Sequence, residues 1–510
     1  MFKRALVSTS NKTGLIEFIK PLVEQGCDIV STGGTSKFLR DHGIKVLEVA
    51  DVTGFPEMMD GRIRTLHPYI HMGLLARGFV PEDAKILKEH GVKPFDLVVV
   101  NLYPFEESYK KNLKGQELIE QIDIGGPSML RAAAKSFERL TVVCDPSDYE
   151  VVLNQAKNGD SNIDFRQLLA AKVFEHCAYY DSLVAHALYE KPWDERDALT
   201  LGFRKKALLR YGENPHQKAG WYESPVQDRL SLSSAEQIQG KELSYNNILD
   251  LEAAVGAVSD FDEPCSVIIK HVTPCGVAVD DTIEKAFKKA FDADSISAFG
   301  GIVAINRTLT ASLAKELVVP FLECVIAPDI EENAKPILAA KKNLRVLTLK
   351  NLSEKDNGSQ RIEFKSIRGG MLVQSADQPC EYSEKWKIIG EKPTKQVLDD
   401  LIFAQKVVRH VKSNAIVIAK NRQTLGICGG QTNRVDSVKW ALERSKGRGE
   451  KLVLGSDAFF PFRDSIDLAA KAGIAWIIQP GGSMRDAEVE AAAQEHKIGM
   501  LITGTRHFKH

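Results

Sequence analysis

In the stretch Ser266–Val279, SVIIKHVTPCGVAV, an apolar run ends in a lysine and a histidine side by side, Lys270 and His271. An imidazole that titrates near neutral pH, beside a cation, suits proton transfer coupled to charge stabilisation. A second dense stretch is MDGRIRTLHPYIHMGLLAR, Met59 to Arg77. Arg62, Arg64 and Thr65 fall within four residues, and two arginines can grip phosphate or carboxylate bidentately. His67 and His71 stand four apart, but Pro68 follows His67 and no glutamate lies between them as in HExxH, which speaks against a metal pair. A third, QIDIGGPSMLRAAAKSF, carries Asp123, a Gly-Gly turn and a helix with Arg131 and Lys135 on one face. Its alanine-rich interior implies close packing, which would leave a lysine there in need of a partner.

Further polar clusters end apolar runs: STSNKTG (Ser8 to Gly14), STGGTSK (Ser31 to Lys37) and NLYPF (Asn101 to Phe105). The carboxyl ends of strands are where open α/β sheets bind ligands. GGTS opening a helix offers free N–H groups to an anion, and Lys12 with Thr13 resembles a phosphate grip, although no GxxxxGK[ST] pattern is present. In the second half, LLRYGENPHQKAGWY gathers Arg210, Tyr211, Asn214, His216 and Gln217 into a plausible ligand loop. SDAFFPFRD sets three phenylalanines beside Arg463 and Asp464, a combination suited to a flat heteroaromatic ligand with N–H donors. HVTPC lacks the second cysteine of a zinc-deaminase P-C-x-x-C.

The elements that must position these groups alternate in the first part of the chain. RALVSTS, CDIVSTGG, KVLEVA, FDLVVVNLYPF and RLTVVCD read as strands, separated by amphipathic helices, so a doubly wound α/β sheet is expected. A long helix, FRQLLAAKVFEHCAYYDSLVAHALYE, and the polar KPWDERDALT follow, placing a domain boundary near residue 198: a domain of 1–198 and another of 199–510. The second part repeats itself. SVIIKHVTPCGVAV has the layout of NAIVIAKNRQTLGICGG, and each is followed by an Ala-Phe segment, a helix and an I-x-P strand end. Two related α/β subdomains are expected, with Lys270 and His271 near polar groups of the second copy.

Sixty-eight acidic against 67 basic side chains leave a net charge of −1, so no global field points to nucleic acid or a membrane surface. Eight scattered cysteines without a CxxC, an N-terminus without a signal-peptide apolar run and no membrane-length apolar stretch predict a cytoplasmic protein.

Taken in order, STSNKTG, GFPEMMDGR, TLHP, NLYPF, QIDIGG, LRAAAK, LRYGENPHQ, KHVTPCG and SDAFFPFRD resemble the bifunctional purine-biosynthesis enzymes that join IMP cyclohydrolase to AICAR (phosphoribosylaminoimidazolecarboxamide) formyltransferase. The resemblance implies an N-terminal methylglyoxal-synthase-like parallel sheet and two C-terminal cytidine-deaminase-like subdomains without zinc. It implies a cytoplasmic homodimer with shared transformylase sites, small-molecule substrates, 10-formyltetrahydrofolate as formyl donor and no catalytic metal. By the same resemblance, Ser10, Asn11, Lys12, Thr32, Gly33, Gly34, Thr35, Arg62, Ile63, Arg64, Thr65, Asn101, Tyr103, Asp123 and Ile124 would contact the cyclohydrolase nucleotide, with Lys135 transferring a proton. Arg210, Tyr211, Gly300, Glu323, Asn414 and Arg434 would contact AICAR, and Val435, Asp464, Ser483, Met484 and Arg506 the folate. Lys270 and His271 would be the catalytic pair. The family usually carries lysine where this chain has Arg64, which keeps the charge but cannot exchange a proton at neutral pH.

The neighbouring carboxamide makes the AICAR amine a poor nucleophile, so a neutral His271 taking its proton and Lys270 steadying the formyl oxyanion fit the reaction. A zinc deaminase of the same fold and a non-catalytic nucleotide binder are the rival readings. The missing CxxC opposes the first; Lys135 and Lys270-His271 oppose the second.

Overall fold

The apolar runs of the first part pair in parallel in the computed structural model, which describes residues 2–59, 62–157, 162–226, 228–354 and 361–510. They are β1 (Arg4–Thr9), β2 (Asp28–Ser31), β3 (Leu47–Glu48), β4 (Leu97–Asn101) and β5 (Thr141–Val143), in the order β3-β2-β1-β4-β5. All four pairings are parallel, and every residue of β4 is buried, as its unbroken apolar pattern requires. Strand order reverses between β1 and β4, so a crevice opens there at the carboxyl edge.

The strand expected across KVLEVA is only two residues long, and Val49–Thr53 is helical instead. A capping box overrides the β-prone valines: the Glu48 side chain accepts from the N3 backbone and Asp51 reaches back to the Glu48 N–H. The long helix forms over Ile163–Leu188 and packs on the helix Gly125–Lys135 through Val173, Cys177, Tyr180 and Leu183 against the buried alanines 132 to 134. This first unit runs to Arg204 and takes in Ser224–Val226; the second comprises Lys205–Glu223 and the chain onward to His510.

The second unit opens with a hairpin of β6 (Arg204–Leu209) and β7 (Ala219–Glu223). Then come β8 (Glu236–Gln239), β9 (Cys265–Lys270), β10 (Thr273–Val279), β11 (Gly301–Ile305), β12 (Leu322–Ala327) and β13 (Arg345–Thr348). A separate hairpin, β14 (Ile362–Ile367) and β15 (Gly370–Ser375), precedes β16 (Lys387–Ile389), β17 (Ile416–Lys420), β18 (Gln423–Cys428), β19 (Leu452–Ser456), β20 (Ile474–Gln479) and β21 (Gly499–Ile502). One sheet runs β16-β21-β20-β19-β17-β18-β10-β9-β11-β12-β13-β8. Its two halves have the same order read outward from the centre, which is the duplication legible in the sequence.

The copies agree residue by residue. Each hairpin turn holds two residues with positive φ, His271 and Val272 (52° and 62°) in one, Asn421 and Arg422 (50° and 52°) in the other, the twist that a two-residue hairpin demands. Each hairpin carries a bulge, and after it a glycine, Gly276 or Gly426, against which a helix lies so closely that a Cβ would run into the carbonyl of Ala290 or Ala441. The copies meet where β10 pairs antiparallel with β18; Thr424 Oγ1 accepts from Val277 N (3.0 Å) and donates to Val277 O (3.2 Å).

Candidate active sites

In the first unit the polar clusters gather at the carboxyl edge, as expected. Asn101, the last residue of β4, spans the crevice: its Oδ1 accepts from the N–H groups of Ser10 (2.7 Å) and Asn11 (2.9 Å), and its Nδ2 donates to Asn11 O (2.9 Å). Its amide is therefore engaged in shaping the loop, and any ligand meets the backbone it has set. Thr35, in the first turn of the helix that follows β2, does the same, exchanging hydrogen bonds with the backbone of Thr9 at 2.9 and 3.0 Å. Lys12 Nζ turns back on the carbonyls of Thr9 and Ser10 (3.3 Å each) and lies 5.9 Å from the centre of the Phe38 ring.

Thr32 is extended and Gly33 takes φ +55°, opening the helix Gly33–Asp41 with free N–H groups. Beside it lies a cavity of about 640 Å³, lined among others by Thr32, Gly33, Ile63, Arg64 and His67. Arg64 covers Gly33 so tightly that a Cβ there would strike its guanidinium, and it is paired with Glu57. Arg62 points elsewhere, into an exposed pair with Glu120. His67 caps the helix Pro68–Leu75, its Nδ1 accepting from Tyr69 N (3.2 Å). Buried Thr65 places its hydroxyl against Gly125, tying the arginine segment to the third cluster.

There, Asp123 Oδ1 accepts from Gly126 N at 2.8 Å. Burial pushes its carboxyl above the usual carboxylate range, against the pull of the Gly126, Tyr103 and Gly125 N–H groups. Tyr180, delivered by the long helix, accepts from Asp123 N (2.8 Å), and burial raises its hydroxyl to about 12, so it stays protonated. Tyr103 and Ile124 are exposed beside them. Lys135 departs from expectation. It is exposed, not buried in need of a partner, and ends the helix Gly125–Lys135 at the far side from Asp123, about 15 Å along the axis. Arg131, one turn earlier, pairs at 3.4 Å with Asp181.

In the second unit, antiparallel pairing through β10 and β18 makes β9 and β17 run in opposite directions. The end of β9 and the start of β17 therefore share one sheet edge, together with the starts of β11 and β12 and the ends of β18, β19, β20 and β21. That edge holds Lys270, His271, Gly300, Glu323, Asn414, Arg434, Val435, Asp464, Ser483, Met484 and Arg506. The second copy's turn, Lys420–Asn421, lies at the opposite edge.

Lys270 closes β9 half-buried, donating to Phe299 O (2.5 Å) beside Gly300, whose φ of +68° disfavours any side chain and where a Cβ would crowd Lys270 Nζ at 3.0 Å. His271 is not on the strand but first in the turn, and exposed. What fixes it is Asp250, on the helix Tyr245–Val258, whose Oδ1 accepts from Val272 N at 2.6 Å. Burial raises the Asp250 carboxyl, while the Val272 N–H and His271 pull the other way. Asp400 holds the second turn identically, accepting from Asn421 N (3.0 Å) and Arg422 N (2.6 Å). The sequence reading missed both anchors, although each aspartate stands twenty residues before its lysine in the repeat. It also missed Phe321, which with Phe299 forms an exposed pair 5.2 Å apart beside Gly300.

Several expected ligand contacts are engaged within the protein. Arg434 is buried, paired with Asp457, and bonds Ser456 Oγ and Asn414 Oδ1 at 2.8 Å each; Asn414 Nδ2 donates to Gln431 O (3.0 Å). Glu323 pairs with Arg345 at 2.7 Å. Of the three phenylalanines, Phe460 is core and Phe462 is exposed under Arg485, while Arg463 pairs with Asp467 and Glu495. Arg210 stacks on Tyr211 and hydrogen-bonds its hydroxyl (3.0 Å); Asn246 ties their loop to the helix carrying Asp250 through Glu213 O (3.3 Å). Met484 is fully exposed and Arg506 lies over Phe508.

A parallel sheet with an anion-ready carboxyl edge and a duplicated sheet bearing a lysine–histidine tip together define a two-site α/β enzyme. The MGS-like domain matches residues 14–128, and the family described as AICARFT/IMPCHase bienzyme matches residues 133–444. Full-length relatives called bifunctional purine biosynthesis protein PurH are 50% identical in Persephonella marina and 49% in Bacillus subtilis, covering all of this chain and 100% and 99% of theirs. The chain belongs to the AICARFT/IMPCHase bienzyme family.

The two anchors separate function from folding. Asp250→Ala should lower formyl transfer by about tenfold or more, ~1.4 kcal/mol in barrier, by freeing the His271 turn. Asp400→Ala should leave that rate within about threefold, since its turn lies at the opposite edge. Initial-rate assays with matched melting curves compare them; equal losses would mean that Asp250 acts only through folding.

Proposed function

We propose that the chain performs its family's two reactions at two separate strand edges. Formyl transfer to AICAR takes place at the Lys270–His271 edge of the second unit, and closure of formyl-AICAR to IMP at the carboxyl edge of the first. The observation that carries this is the pair of distinct edges, each with its own titratable group. The AICARFT domain implies a folate-type formyl donor, here 10-formyltetrahydrofolate. No metal is invoked. Among the described residues no helix is long and apolar enough to cross a membrane, and a cytoplasmic setting suits the substrates.

In formyl transfer the AICAR amine attacks the formyl carbon while His271 takes its proton. Lys270, anchored beside Gly300, stabilises the oxyanion, and the folate nitrogen leaves as an amine after accepting a proton. Arg210 and Tyr211 supply a cation and a ring for the nucleotide. The Asn414–Arg434–Asp457 cluster is a preformed wall, and Glu323 keeps the second oxygen of its carboxyl for the ligand. Asp464, Ser483, Met484, Arg506 and Val435 line the folate side.

For ring closure, the carboxamide nitrogen attacks the formyl carbon and water leaves. The backbone shaped by Asn101 and Thr35, the helix start at Gly33–Gly34, and Lys12 and Arg64 bind the anionic nucleotide, with Arg62 joining only if it leaves Glu120; Tyr103, Ile124 and Thr65 flank the base. Lys135 matches the family's proton-transfer lysine, but Asp123 is a carboxyl at this edge whose pKa burial raises, which suits proton transfer.

A homodimer completes the second site. Within one chain the Lys270 tip and the Asn414 wall stand on one edge, three strand spacings or roughly 14 Å apart. The edge also exposes Ile296 (88%) and Val319 (79%), apolar side chains that a second copy would cover. Sedimentation equilibrium should give a dimer; a monomer with full transformylase activity would contradict the shared site.

His271→Ala should lose formyl transfer by about 10²–10⁴-fold and still close supplied formyl-AICAR. Equal loss of both would defeat the two-site reading. Asp123→Asn should slow ring closure more than Lys135→Ala does, in single turnovers from formyl-AICAR; the reverse order would return the proton to Lys135.

A further inference from the structure

In the first-unit cavity, Arg64 lies over the start of the helix Gly33–Asp41, which carries partial positive charge and unbonded N–H groups. A guanidinium there is disfavoured unless an anion shares the site. Glu57, from the segment lining the same cavity, provides that anion by pairing with Arg64. The pair is only partly shielded, with side-chain exposures of 26% for Arg64 and 48% for Glu57, so it can exchange. Arg64 Nε is buried without a hydrogen-bond partner. The guanidinium thus keeps one donor unused, and a phosphate could bridge Nε and a terminal nitrogen as the helix N–H groups bind its other oxygens.

We propose that Glu57 is an internal counter-ion that the nucleotide's phosphate displaces from Arg64, so that Glu57 sets how tightly the first-unit site holds its ligand. The proposal rests on the assignment of ring closure to this edge. It makes Glu57 a positioning residue, acting through Arg64 and against binding. Displacement also frees the segment around Phe55–Glu57, which lines the cavity beside Arg64.

Calorimetric titration of IMP into the full-length protein and its Glu57→Gln and Glu57→Ala variants tests this, with kcat and KM for formyl-AICAR. Removing the competing charge should lower the Kd for IMP by about two- to fivefold, the range of a partly exposed ion pair, with the change on KM and not on kcat. In an Arg64→Met background the same substitutions should leave the Kd unchanged, whereas a merely structural role would persist there. Unchanged or weaker IMP binding in both single variants, or tightening that survives Arg64→Met, overturns the proposal. A wild-type protein that neither binds IMP in this unit nor closes formyl-AICAR overturns the site assignment, and the proposal with it.

Discussion

The antiparallel pairing of β10 with β18 is the constraint on which the second site depends. It turns the second copy end for end, so the finish of β9 and the beginning of β17 lie on one edge. Had the copies joined in parallel, Lys270 would share its edge with Lys420 and not with Asn414 and Arg434. The junction is also specific. Thr424 both accepts from and donates to Val277 across it, a buried exchange that a one-residue slip would leave unpaired.

Duplication gives two turns of one architecture, and catalysis is proposed at only one of them. Both copies have an aspartate holding a left-handed two-residue turn, a bulge, and a glycine under a helix carbonyl. These features belong to the fold, since they survive at Asn421, where the imidazole is absent. Lys420 donates to the backbone at Glu450 (2.6 Å), much as Lys270 does at Phe299. What distinguishes the first tip is the histidine, the exposed Phe299–Phe321 pair, and an edge shared with the second copy's polar wall.

Much of this was legible in the sequence because it follows from local pattern. Continuous apolar runs gave the parallel strands, and the recurrence of SVIIKHVTPCGVAV in NAIVIAKNRQTLGICGG exposed the duplication. Illegible features were those set by distant partners. A capping box at Glu48 and Asp51 displaced a strand that its valines favoured. The engagement of Asn101 with Ser10 and Asn11, and of Arg434 with Asp457, depends on chain crossings that residue types do not encode. The position of Lys135 was hidden for a simpler reason: spacing put it on one face with Arg131, but Asp123 and Thr65 stand at the start of that helix and Lys135 at its end. In the second unit the aspartates that hold the two turns carry no local motif, and only the repeat could have pointed to Asp250.

The central claim is that the two reactions occupy separate edges. Hydrogen–deuterium exchange of the full-length protein, with and without saturating IMP and with and without AICAR, tests it most directly. IMP should slow exchange at Thr9–Lys12, Thr32–Thr35, Arg62–Thr65 and Asp123–Gly126. AICAR should slow it at Lys270–Thr273, Gly300 and Arg210–Tyr211. Protection by both ligands confined to a single one of these edges would contradict the account.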